Sequence, residues 1–407
     1  MTGPDHNSVP IGRRVAYWRA RRNLSQQLFA DRIGKSKSWV DKVERGVRRL
    51  DKWSVLADIA DALRIDVGQL VTAAQGVSQT TAEAPPEVEQ IRDVLTRYDD
   101  VDTTAHRPTT TGDLRKATAH AWLALQHGQL DRLLTDLPRL IVDTQRHRCM
   151  VNAGESALLM SQAYQITAAL LRKVGEPHLA WVAADRAIAV SAATDDPLLA
   201  ARAAVPLGGV VREMGQPRRG FELCVTVAHR LAPPDPLNAN PEHLSVYGSL
   251  LLQAAMAAAT LGDDQAVSEL TEQAADAADR VGEGRNDYWT VFGPALVDGV
   301  RVATAVELGE SGQAVAVHEK ARAHPGYQQL PPGTRADHLV DAARGYAHTG
   351  DLKAAGRALL EADRIAPAEV RVRPAAREML ETVLRRSTQP DPLVVALADA
   401  AGVTGAR

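Results

Sequence analysis

The sequence predicts an all-α protein, on three observations. Aromatics are only 4% of the 407 residues while alanine abounds, apolar residues recur at helical rather than alternating spacing, and glycine returns at helix-ending positions with a near-regular period. A chain of this length with 45% apolar residues can bury more than one core. A small module followed by something larger is therefore expected.

Charge marks out the small module. Thirteen Lys or Arg lie between residues 10 and 53 against Asp31, Asp41, Glu44 and Asp51, so this stretch carries +9 in a chain of net charge −3. The remainder is −12. One end suits a polyanion and the bulk does not.

The elements of that end follow from spacing. Ile11, Val15 and Trp18 fall on one face of a first helix, which stops at Asn23 and Leu24. Ser25 caps a second, with Leu28, Ala30 and Ile33 expected to point inward, and Gly34 supplies the positive φ of a tight turn. Ser36 caps a third helix, KSWVDKVER, with Val40 and Val43 buried, until Gly46 ends it. Small Ala30 lets two helices cross closely, and the two valines fill the angle between them.

These motifs, LSQQLFADRIG, SKSWVDKVERG and WSVLADIADALRIDVGQLV, resemble the lambda-repressor and Cro-like (XRE) helix-turn-helix family from Ile11 to Leu70. The resemblance implies a five-helix DNA-binding domain over residues 1–71. It assigns base contacts to Lys37, Ser38, Asp41 and Lys42, and phosphate contact to Gln26. It also pairs Glu44 with Arg19 as a structural bond, beside the structural set Ala30, Gly34, Val40 and Val43. The helical period agrees: Lys37, Ser38, Asp41 and Lys42 lie opposite Val40 and Val43, free to enter a major groove. Arg48, Arg49 and Lys52 follow in a loop that would run along the DNA backbone. Trp39 stands where the family has a small or polar residue; it packs on sugar and phosphate or covers the helix edge.

Residues 72–86, small, polar and Pro-terminated, are expected to be a linker. Over 87–111 a connecting helix carries Val88, Ile91, Val94, Leu95 and Tyr98 on one side, as a dimer contact or a cap.

Residues 112–386 repeat. Leu339, Ala343, Tyr346, Gly350, Ala355, Leu359, Ala362 and Pro367 have tetratricopeptide spacing, and Gly128, Gly175, Gly215, Gly262 and Gly309 align with Gly350 at steps of 47, 40, 47, 47 and 41 residues. Six degenerate helical hairpins are expected, stacked in a right-handed α-solenoid, with 387–407 as a tail. This organisation is similar to the peptide-pheromone-receptor regulators of Gram-positive bacteria. It is closer, through NDYWTVFGPALVDGVRVATAVELGE and EVRVRPAAREMLETVLRR, to actinobacterial XRE regulators with tetratricopeptide-like domains. It implies a homodimeric transcriptional regulator on double-stranded operator DNA, whose solenoid senses a peptide or small molecule; the alternative is a DNA-tethered adaptor that recruits a protein.

For the effector, Asn286, Tyr288, Trp289 and Phe292 concentrate aromatics at the expected start of a repeat's first helix, as a binding surface or as inter-repeat core. Arg202, Arg212 and Arg301, on other first helices, would neutralise an acidic ligand or stand on a solvated helix face. The sequence contains no phosphate loop, dinucleotide fingerprint, zincin motif or nucleophile elbow, so no enzyme, cofactor or metal is expected. Cys149 and Cys224 are read as core filler. No apolar run reads as a bilayer span and the start MTGPDHNSVPIGRR lacks a signal peptide's apolar stretch, so a cytoplasmic, nucleoid-associated protein is expected.

Overall fold

The computed structural model describes residues 11–403 apart from 47, 49, 51–52, 66, 68–69, 71–84, 98–109, 151–153, 193 and 234–238. The described residues are helical, with no strand among them. Arg49, Lys52, Tyr98 and most of the expected linker lie outside them.

The first body holds α1 (Ile11–Arg21), α2 (Gln26–Arg32), α3 (Lys37–Glu44) and α4 (Trp53–Leu63). Its core joins Val15, Trp18, Phe29, Ala30, Val40, Val43, Ile59 and Leu63. Leu28 is a correction to the sequence reading: it is 46% exposed, and Phe29 takes the buried place beside Ala30. The inward arc of this two-turn helix is centred one position later, on the side where α3 crosses.

Then α5 (Pro86–Thr96) lays Val88, Ile91 and Leu95, all fully buried, against the next body as a cap. Six hairpins follow: α6 (Thr111–Gln126) with α7 (Leu130–Met150), α8 (Gly154–Lys173) with α9 (Pro177–Ser191), α10 (Pro197–Glu213) with α11 (Pro217–Leu231), α12 (Pro241–Leu261) with α13 (Asp264–Val281), α14 (Pro294–Glu307) with α15 (Ser311–Ala323), and α16 (Pro332–Thr349) with α17 (Leu352–Ile365). Each first helix stops at one of the six expected glycines, all left-handed with φ between 69° and 93°. Here a side chain with a Cβ is strained.

First helices pack on first helices, and α16 returns to α6. The stack of hairpins therefore closes into a ring. Close approach at the seam depends on missing Cβ atoms: one on Gly333 would lie 2.8 Å from the Gln126 carbonyl, and one on Gly128 2.7 Å from the Ala366 methyl. Buried charges cross the same seam, where Lys173 Nζ donates to Glu369 at 2.9 Å and to Asp337 at 2.7 Å, and Arg373 joins both acids. Burial pulls the Lys173 ammonium down to about 8 despite its acids.

After α18 (Pro367–Arg371) and α19 (Pro374–Arg386), the expected tail carries α20 (Pro392–Ala400), whose buried Val394, Leu397 and Ala398 close the last hairpin's apolar face. Two further expectations are corrected. Among the described residues α12 alone is long and apolar enough to span a bilayer, with mean hydropathy 1.5, but 72% of that window is buried inside the ring. Cys149 is exposed, whereas Cys224 is core, its thiol pushed up to about 12 by burial.

The two bodies touch along one rim. Arg21 donates to the Gly262 carbonyl at 3.3 Å, Arg22 lies over Gly309, and Arg385 and Arg386 stand 4.0 and 3.9 Å from Asp61. The contact uses α1 and α4, leaving α3 on another side.

Candidate nucleic-acid interface

The geometry of α3 begins at its cap. Ser36 Oγ accepts from the Trp39 amide at 3.1 Å, as Ser25 Oγ does from Leu28 in α2. Val40 and Val43 are at most 1% exposed and hold one face down. Lys37, Ser38 and Lys42 are exposed on the other, with no side-chain hydrogen bond to any described residue. Asp41 shares their side but accepts from Arg45 at 3.1 Å, so its carboxylate already has a cation. The exposed Arg48 guanidinium lies 5.7 Å from the centre of the half-buried Trp39 ring. That stacking continues the basic surface past the helix end.

A three-member cluster positions this helix. Arg19 donates to both oxygens of the buried Glu44, at 2.5 and 3.0 Å, and to the Leu24 carbonyl at 2.7 Å. Gln26, expected at a phosphate, also donates to Glu44, at 2.8 Å. It joins the scaffold that ties α2, α3 and α1 together. Sequence reasoning missed Gly12: a Cβ there would overlap the Val43 carbonyl, so at this point α1 and α3 approach closely because a side chain is absent. Nothing in the sequence distinguishes such a contact glycine from any other.

This arrangement matches a known family model, described as a helix-turn-helix domain, over residues 10–73. Residues 10–73 are a helix-turn-helix domain. No curated protein matches the chain. Similar solved structures include Bacillus thuringiensis PlcR in complex with the peptide PapR7 and DNA, at 12% identity and TM-score 0.28, covering 93% of this chain and 99% of that one. ComR from S. thermophilus, in complex with DNA and its signalling peptide ComS, is 13% identical at TM-score 0.23, covering 92% and 99%.

Away from the helix-turn-helix domain, the residues expected to receive an effector divide in two. Asn286, Tyr288 and Trp289 precede α14 rather than starting it, because Pro294 is the first residue to take up the helix. They form a loop across the inner face of the ring, with Tyr288 (φ 49°), Trp289 (φ 60°) and Val291 (φ 54°) all left-handed. That backbone costs a non-glycine residue roughly 1–2 kcal/mol. Phe292 is 1% exposed, and a Cβ on Gly248 would overlap its ring, so it is an inter-repeat anchor. Arg212 is neutralised by Glu213 at 3.2 Å and Arg301 by Asp298 at 3.2 Å.

Arg202 differs from both. Its side chain donates from Nε to the Tyr288 carbonyl at 3.1 Å and lies 5.1 Å from the Trp122 ring centre, with no acid paired to it among the described residues. Desolvation alone brings it down to about 10.

Proposed function

We propose that this protein is a sequence-specific DNA-binding transcriptional regulator whose ring senses a peptide or small molecule. A homodimer sets two copies of α3 on half-sites about one helical turn of DNA apart, and an effector held by the ring alters their spacing. The observation that carries the DNA reading is one face of α3. There Lys37, Ser38 and Lys42 stand exposed and without side-chain partners among the described residues, opposite two fully buried valines. Lysine donates to the N7 and O6 acceptors of guanine in the major groove. Asp41 accepts from cytosine once Arg45 turns to phosphate. Trp39 and Arg48 lie along the backbone, where Arg49 and Lys52 would extend the track and Gln26 steadies the helix from behind.

Selection from random duplexes tests this reading. Wild-type protein is expected to enrich a two-fold symmetric site, and the Lys37→Ala/Lys42→Ala variant to enrich none. Recovery of the same site by the variant would remove these residues from the reading face.

A further inference from the structure

The loop before α14 is held the way a ligand is held. Gln126 and Asn286 exchange a pair of amide hydrogen bonds at 3.0 and 2.9 Å, and Gln126 also reaches the Trp289 carbonyl at 3.3 Å. The Trp289 ring stacks on Trp122 with centroids 6.0 Å apart and planes 9° from parallel. Arg202, on α10, covers Trp122 and takes the Tyr288 carbonyl, while Tyr288 donates its hydroxyl to Asp196 at 3.1 Å. Four receiving side chains from two separate hairpins thus converge on Asn286, Tyr288 and Trp289.

We propose that Gln126, Trp122, Arg202 and Asp196 form a peptide-binding site on the inner face of the ring, that residues 286–289 are its tethered occupant, and that a short peptide in trans exchanges with them. This rests on the effector reading above and gives the effector a chemistry: an amide side chain, two backbone carbonyls and adjacent aromatic rings.

Three observations favour exchange over a permanent core contact. The loop stays only half-buried and its Asn286 exposed, unlike Phe292, which anchors it from behind. Its left-handed tyrosine, tryptophan and valine store strain that withdrawal relieves. The receiving side is not fully satisfied: Trp122 is 2% exposed, yet among the described residues its Nε1–H has no acceptor and the nine-tenths buried Arg202 has no acid. A peptide in trans can supply both, an acceptor to the indole and a carboxylate to the guanidinium, where the loop supplies neither. Gly282 and Gly284, both left-handed, leave the chain free to turn away on the α13 side.

The test uses the full-length protein and a fluorescent octapeptide of its own residues 284–291, Gly-Arg-Asn-Asp-Tyr-Trp-Thr-Val. Tyr288→Gly/Trp289→Gly removes the internal rings and relieves the backbone, so the fold is retained and thermal melting verifies it. The expected result is binding at least tenfold tighter than to wild type, and a tenfold or greater loss when Gln126→Ala or Arg202→Ala is added. Equal binding to wild type and the glycine variant overturns the proposal, as does binding indifferent to both Gln126 and Arg202, or none to the folded glycine variant. Duplex affinity is measured separately: a peptide that binds as expected but leaves duplex affinity unchanged establishes the site and refutes the effector reading.

Discussion

The exposed face of α3 and the interior of the ring satisfy their polar groups in opposite ways. On α3, Lys37, Ser38 and Lys42 face outward with no described partner. Inside the ring, polar side chains pair with one another: Lys173 with Glu369, Arg172 with Glu213, Gln126 with Asn286, His318 with His338. A surface that binds DNA needs no internal bond broken first, so its affinity is set by the bonds it forms with the duplex and the counterions it releases. A ligand for the ring must displace partners already bonded, and it keeps only the difference. The first surface is therefore suited to constant affinity and the second to switching.

The largest effect expected is on the ring's internal pairing. Glu369 is fully buried between Lys173 and Arg373, so Glu369→Ala leaves these two buried cations to share Asp337 and is expected to cost about 3–5 kcal/mol of ring stability in a chemical melt. A loss under about 1 kcal/mol would show that the seam is not held by charge. Acid probes the same contrast more gently. His318 and His338 share a 2.7 Å hydrogen bond, and burial draws them down to about 4 and about 3, below the ordinary value of 6.5. Both are neutral in the fold and protonate more readily once it opens. Their contribution is therefore complete above pH 6.5 and lost progressively as pH falls towards 4. Residues 11–70 contain no histidine, so the ring's melting temperature falls over this window with no such loss in the helix-turn-helix domain.

On the outward surface the effects fall on binding. Lys37→Ala and Lys42→Ala are each expected to remove about 1–3 kcal/mol of discrimination between duplexes, with melting unchanged. Smallest is Arg48→Ala, which weakens all duplexes alike by about 0.5–1 kcal/mol and lowers the salt slope by about one unit. A changed preferred sequence in that variant would make Arg48 a base reader and blur the division.

Local signals made much of this legible. Each of the six repeat glycines could be placed because the end of a helix demands a left-handed residue, a demand met within three or four neighbours. The caps Ser25 and Ser36 and the buried Val40 and Val43 are equally local. What the sequence hides is what depends on a distant partner. Gly12 and Gly248 look like any glycine until Val43 or Phe292 arrives against them. Ring closure requires α16 to find α6, some two hundred residues away, and no periodicity encodes it. Asn286, Tyr288 and Trp289 stood out by composition, but the side chains they touch, Gln126 and Trp122, are scattered among ordinary helix positions.

The contact at Gly309 lies between the helix that follows the loop and the helix-turn-helix domain. The loop feeds directly into α14, whose 14 residues make a rod about 21 Å long. At its far end Gly309 lies under Arg22, which is also bonded to the Leu63 carbonyl of the helix-turn-helix domain at 2.9 Å. A tilt of about 5° where the loop lets go displaces the other end by about 2 Å, enough to unseat one guanidinium from its turn. Such a lever transmits in both directions. If it carries the signal, operator DNA must change the peptide's affinity by the same factor that the peptide changes the operator's.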